Sequence, residues 1–251
     1  MSDAIDLAIL EDRLADLEGA RAWSPRVISR LESRIRNDED LALFRVNPLA
    51  YATATKAGDA EAIDLFLYAT HVGLFDMEWN IVCASCGNTA RSFRGLERID
   101  AHFDCSLCQF EVDASLDDYI QVSFTISPSV RPIAYHEPAS LSAEDLLFQW
   151  HFSHDVRPTI DGKTYPQILE AWTRYVGYLE PGDVARIDFD LDAVALGIRD
   201  VLHAATALYF VEAASPDGDA TLVDLRLADG RFVDANRDLK PLVYQFEEKP
   251  S

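Results

Sequence analysis

The sequence predicts an α+β protein: N-terminal helices, a zinc ribbon held by four cysteines, and a C-terminal antiparallel part built like a β-sandwich. Three observations predict it. Apolar residues before position 79 recur at three- and four-residue steps, the period of a helix face. The 251-residue chain has four cysteines, and they fall in two C-x2-C pairs, Cys83 with Cys86 and Cys105 with Cys108. Beyond residue 115 the pattern changes to apolar–polar alternation broken by turn residues. The resulting plan is a helical arm (1–40), a small helical, winged-helix-like segment (41–78), the zinc ribbon (79–114) and the β-sandwich-like domain (115–251).

The helices come first. Leu7, Leu10, Leu14 and Leu17 make one stripe, which Gly19 interrupts. Ser24-Pro25 has the composition of an N-cap and first helical residue, and restarts the pattern as Val27, Ile28, Leu31 and Ile35. These stripes are expected to pack into a core. A narrow stripe also suits a coiled coil, so a homodimer through the N-terminal helices is the second expectation. Asn47-Pro48 opens a further helix. Asp59 is expected to cap another, with Ala62, Ile63, Leu65, Phe66, Leu67, Ala69 and Val72 apolar and Gly73 at its end. Leu74 to Val82 reads as a strand leading into the first cysteine pair. Helix, helix and strand in this order match a winged helix-turn-helix, but a DNA-reading helix needs basic residues. From Val46 to Trp79 there is only Lys56, against Asp59, Glu61, Asp64, Asp76 and Glu78.

The cysteine spacing is C-x2-C-x18-C-x2-C, within the range of a four-cysteine zinc site. Two intervening residues let a tight turn aim both sulfurs of a pair at one ion. Gly87, directly after Cys86, suits such a turn; the second pair lacks that glycine. Four thiolates close a tetrahedral shell, so the expected cofactor is one structural zinc ion, with iron as the chemical alternative. Disulfides are not expected in a reducing compartment, and a redox C-x-x-C normally occurs once and on a helix.

After the cysteines, Ile120, Val122, Phe124 and Ile126 share one face of a strand. Ile187, Phe189 and Leu191 alternate with charged residues. Ala207 to Ala213 and Thr221 to Leu227 flank a turn composition, Ser215-Pro-Asp-Gly-Asp219. Asp229-Gly230 marks a tight turn before Arg231-Phe-Val233, and Leu242, Tyr244 and Phe246 close the series.

The formal net charge is −21. Such a surface repels phosphate backbones and anionic lipid, which argues against nucleic acid and bare membrane as partners. Its ordinary meaning is solubility; its sharper meaning is a basic protein partner. The start, Met1-Ser-Asp-Ala-Ile-Asp-Leu7, is acidic and unlike an export signal. The longest apolar stretch, Val201 to Ala214, is broken by His203 and Glu212 and falls short of the ~20 residues of a membrane helix. A cytoplasmic location is expected.

One further cluster invites chemistry. His151, His154 and Asp155 form a ligand-like run, since a three-residue spacing puts two imidazoles on one helical face. No further ligands are evident, so structural histidines are the expectation. An enzyme or small-ligand binder using a pocket of the C-terminal domain near these residues is the alternative. His71 is placed at a helix C-terminus, where it meets the dipole. His102 is a spare ligand that four cysteines make unnecessary, and His136 and His203 lack evident companions. Asp117-Asp118 and Glu144-Asp145 read as turns and helix starts, and Asp217-Gly-Asp219 lacks the rest of a calcium loop. No nucleotide-binding or nucleophile-elbow motif is present.

Several stretches are familiar as a set: Leu43-Phe-Arg-Val-Asn-Pro-Leu49, the run from Leu65 to Trp79, Cys83-Ala-Ser-Cys86-Gly87, Cys105-Ser-Leu-Cys108 with Gln-Phe-Glu-Val-Asp113, and Val122 to Pro132. Leu179-Glu-Pro-Gly-Asp183 and Asn236-Arg-Asp238 extend them. Together, over roughly residues 40–248, they resemble an uncharacterised zinc-ribbon domain found N-terminal to the catalytic domain of bacterial class III adenylate/guanylate cyclases. The resemblance implies a regulatory module in which only the four cysteines carry over as functional residues. The chain reads as a stand-alone relative without the cyclase domain, so cyclase activity is not implied.

Overall fold

The computed structural model describes residues 5–94, 102–105, 107, 111–113, 120–155, 159–180, 182–186, 195–200, 205–210, 225–228 and 231–234. The chain is α+β, with small antiparallel sheets. It divides into two compact units, Met1–Phe103 with Asp113–Tyr178, and Asp104–Val112 with Leu179–Ser251.

In the first unit, α1 (Leu7–Ala20) starts where the Asp6 carboxylate accepts from the backbone N–H groups of Ala8 and Ile9, at 3.1 and 3.0 Å. Leu10, Leu14 and Leu17 are buried, whereas Leu7 faces water. Helix α2 (Val27–Asn37) does not begin with Ser24-Pro25 as its cap. Its N-cap is Arg26, in the left-handed region at φ 71°. The Ser24 N–H donates to the Glu61 carboxylate at 2.8 Å, and the Ser24 carbonyl accepts from Val27. Ser24-Pro25 is therefore the turn that delivers the chain to the helix. Val27, Leu31 and Ile35 are buried.

Helix α3 (Pro48–Thr55) has the expected cap: Asn47 Oδ1 accepts from the Leu49 N–H at 2.8 Å, with Pro48 in the first turn. Helix α4 (Asp59–His71) is capped by Gly58, so Asp59 is its first residue rather than its cap. There its carboxylate sits favourably at the positive end of the helix dipole, and His71 lies in the last turn. Gly73 ends the helix at φ 81°, a conformation that an L side chain rarely adopts.

Strand β1 (Phe75–Val82) pairs antiparallel with β2 (Thr89–Phe93). Strands β3 (His102–Asp104) and β4 (Glu111–Asp113) form a separate two-stranded pair. The other partner of β1 is β5 (Ile120–Ile126), from Phe75↔Ile126 to Ile81↔Ile120. The sheet order is β2-β1-β5, and Val46 adds an isolated antiparallel bridge to Phe124.

This register gives the sheet two unlike faces, because side chains alternate along a strand. On one face Phe75, Phe124 and Ile126 join Leu10, Leu17, Leu31, Ile35 and Phe66 in a single core. The Phe66 ring lies 5.2 Å from those of Tyr51 and Phe75 and 5.3 Å from that of Phe124. Of the stripes of α1 and α2, Leu10, Leu14, Leu17, Val27, Leu31 and Ile35 are thus buried in this core. Val130, Ile133, Tyr135, Leu141 and Leu146 complete this core. Arg131 tethers that segment to the end of α2, donating to the carbonyls of Ile35 and Asp38 at 2.6 and 2.8 Å and pairing with Asp40. His136 has backbone companions on both ring nitrogens: Nδ1 accepts from Ile133 N at 3.1 Å and Nε2 faces Ile126 O at 2.8 Å.

Ser142 caps the short α5 (Ala143–Asp145), which continues as a π-helix, Leu146–Trp150. A hairpin of β6 (Thr159–Ile160) and β7 (Lys163–Thr164) follows, turning through Asp161 and Gly162, both at positive φ. Helix α6 (Tyr165–Trp172) opens with a capping box between Thr164 and Gln167.

In the second unit, β8 (Ala195–Asp200) pairs with β9 (Ala205–Phe210), and β10 (Leu225–Ala228) with β11 (Arg231–Asp234). The described strands here are two separately paired ribbons. The pairing of Ala228 with Arg231 brackets positions 229–230, where the sequence predicts a turn. The alternating stretches at 187–191 and 242–246 lie outside the described residues, as does His203. Among the described residues, no helix is long and apolar enough to cross a membrane.

Candidate metal centre

The first C-x2-C pair sits where β1 ends. Beyond Val82 the chain makes a tight turn in which Gly87 N–H donates to the Cys83 carbonyl at 2.7 Å and Cys83 N–H donates to the Asn88 carbonyl at 2.8 Å. Gly87 takes φ 77°, which explains the glycine at this position. The turn aims both cysteines inward. Cys83, Cys86 and Cys105 are 0, 0 and 1% exposed, and their sulfurs all lie within 4.8 Å of one another. Leu107, between the cysteines of the second pair, is also buried.

These three residues fit a tetrahedral metal ion. Zinc–sulfur bonds of about 2.3 Å place the sulfurs of a tetrahedron roughly 3.8 Å apart, a spacing that a cluster within 4.8 Å admits. Among the described residues they are the one group of three or more His, Cys, Asp or Glu side chains arranged to hold an ion. Cys108 and the His102 side chain lie outside the described residues.

The second predicted cluster is placed differently. His151 caps the π-helix, with its N–H donating to the Leu146 carbonyl at 3.2 Å, and its ring meets Trp150 edge-on at 5.2 Å. Burial first, and the Arg45 charge second, push its pKa down to about 4, so it is neutral at pH 7. His154 packs against the Phe44 ring at 6.1 Å, and its Nε2 lies 3.2 Å from the Gln149 carbonyl. The Asp155 carboxylate is exposed and accepts from the Gln121 amide. His154 also lines a cleft of about 270 Å³, together with Glu144, Asp145, Phe148, Phe152 and Glu170.

Arg45 went unassigned in the sequence reading, although a charge between Phe44 and Val46 in an apolar run is a usable signal. It is 7% exposed and adopts φ 49°. Its guanidinium lies over the rings of Phe44 and Trp150, at 4.7 and 4.9 Å. It donates to the Trp150 carbonyl at 2.7 Å and to Ser92 Oγ at 3.2 Å. Burial lowers its pKa to about 10, and the nearby Glu78 opposes the shift. Beneath it runs a polar chain on the second face of the sheet: Ser92 Oγ donates to Asn80 Oδ1, and Asn80 Nδ2 to Ser123 Oγ, each at 2.6 Å.

No curated protein and no solved structure matches the chain. Residues 12–241, which include all four cysteines and every element from α2 to β11, match a family of unknown function, DUF5939, and the chain belongs to that family.

Proposed function

We propose that this protein is a non-catalytic, zinc-stabilised regulatory module that works by binding a protein partner or sensing a ligand. Cys83, Cys86, Cys105 and Cys108 hold one structural zinc ion in a ribbon-type hairpin. The observation that carries this reading is the burial of three thiols within 4.8 Å of one another. With Cys108 as the fourth ligand the shell is closed and leaves no position for a catalytic water. The net charge of −21 favours a basic partner protein over nucleic acid or an anionic membrane. The likeness to the cyclase-associated domain supports a regulatory role.

Metal analysis of the purified chain tests this. One equivalent of zinc, whose chelation lowers thermal stability, is the expected result. A second tightly held metal, lost on substitution of His151 or His154, would overturn it. The cleft beside His154 favours a second reading, a small-ligand binder or an enzyme, which saturable ligand binding abolished by His154→Ala would support.

A further inference from the structure

The turn that carries Cys83 and Cys86 is bonded on one side to itself and on the other to a wall of the cleft. Gly87 does both. Its N–H closes the turn on Cys83, and its carbonyl accepts from Ser153 N–H at 2.8 Å. Two residues on, Thr89 N–H donates to the His151 carbonyl at 2.7 Å, so that Asn88 and Phe152 form an antiparallel bridge. Phe152, Ser153 and His154 line the cleft, as do Phe148 and Gln149 of the π-helix just before them.

We propose that metal occupancy at the cysteine centre sets the conformation of residues 146–155, and with it the shape of the cleft. The proposal rests on the zinc reading above and adds a regulatory consequence to it. Without the ion, the clustered buried thiols lose the charge that holds them together, and the turn relaxes. Relaxation moves the Gly87 carbonyl. Ser153 is 5% exposed, so its amide has no ready exchange of that partner for water, and the segment moves or opens with the turn. The π-helix is a poor shock absorber. Such a segment is rarely stable alone, and this one is held at its end by Arg45 on the Trp150 carbonyl and through His151 on Thr89. Leu146 is buried in the apolar core and Trp150 packs against it, so the start of the segment is anchored there and the change is confined to the residues beside the turn.

Hydrogen exchange on the full chain tests the coupling, comparing the zinc-loaded, chelated and zinc-restored protein. Peptides covering 146–155 should exchange about 10-fold faster without zinc and recover on its return, while those of α1 and α4 stay protected. If zinc binds stoichiometrically and exchange at 146–155 does not change, the coupling is refuted. Uniform loss of protection along the chain also refutes it, yet leaves the zinc reading intact. A chain that holds no zinc overturns the zinc reading first, and metal content alone reveals that. Coupling is reciprocal, so Phe152→Ala, in a chain whose α4 remains protected, should weaken zinc affinity about 10-fold in competition with a chelator. Unchanged affinity in that variant counts against the proposal.

Discussion

The two faces of the β2-β1-β5 sheet are built on opposite principles. One carries Phe75, Phe124 and Ile126 into a core shared with α1, α2 and α4. The other carries Asn80, Ser123 and Thr125, also buried: Asn80 links Ser123 to Ser92, which accepts from the Arg45 guanidinium, and Thr125 Oγ1 accepts from the Arg45 N–H. The apolar face is stabilised by area removed from water and tolerates modest reshaping. The polar face depends on partners: each buried group is costly unless its hydrogen bond is made. Stability therefore resides mainly on the first face, while the groups that face the candidate sites lie on the second.

The largest expected single-residue effect is on the apolar face. Phe66→Ala removes a ring packed against Tyr51, Phe75 and Phe124, and should cost about 3–5 kcal/mol in urea unfolding. A cost below about 1 kcal/mol would mean that this face is not the stability core.

The next effect is one of pH and belongs to the polar face. His151 has a folded pKa near 4 against an ordinary value of 6.5, so between these values the unfolded chain binds more protons. Stability should fall as pH drops from 6.5 towards 4, by up to about 3 kcal/mol, and this dependence should vanish in His151→Gln. Arg45→Met should shrink the dependence without abolishing it, because burial is the larger cause and the Arg45 charge the smaller.

Asn80→Ala removes the acceptor of the Ser92 hydroxyl and the donor to Ser123 Oγ, and should cost about 2 kcal/mol, more than its lost volume accounts for. The smallest effect returns to the helical side. Asn47→Ala removes the cap of α3 and should cost about 1 kcal/mol, with Asn47→Asp restoring it.

The apolar face was readable because burial there follows a period. Leu10, Leu14, Leu17, Leu31 and Ile35 announce themselves at helical spacing, and Phe124 and Ile126 by alternation. The cysteine pairs were readable because two-residue spacing has few other uses. The polar face was not. Asn80, Ser123 and Thr125 look like surface residues, and only the register of β1 against β5 brings them onto one buried face. That register joins residues about 45 positions apart, which no local pattern specifies. The start of α2 was misread because Ser24-Pro25 has the composition of a cap, but the Ser24 amide is tied to Glu61 on α4. His151 and His154 were grouped by spacing; a π-helix end and a turn give their rings different neighbours, Trp150 and Phe44.

Whether the cysteine cluster is a metal centre can be read from native mass spectrometry of the full chain, purified without added metal. The expected spectrum carries the mass of one zinc ion per chain, lost on Cys83→Ser or Cys105→Ser. A folded chain that carries no metal, with all four thiols open to a thiol reagent, would contradict it.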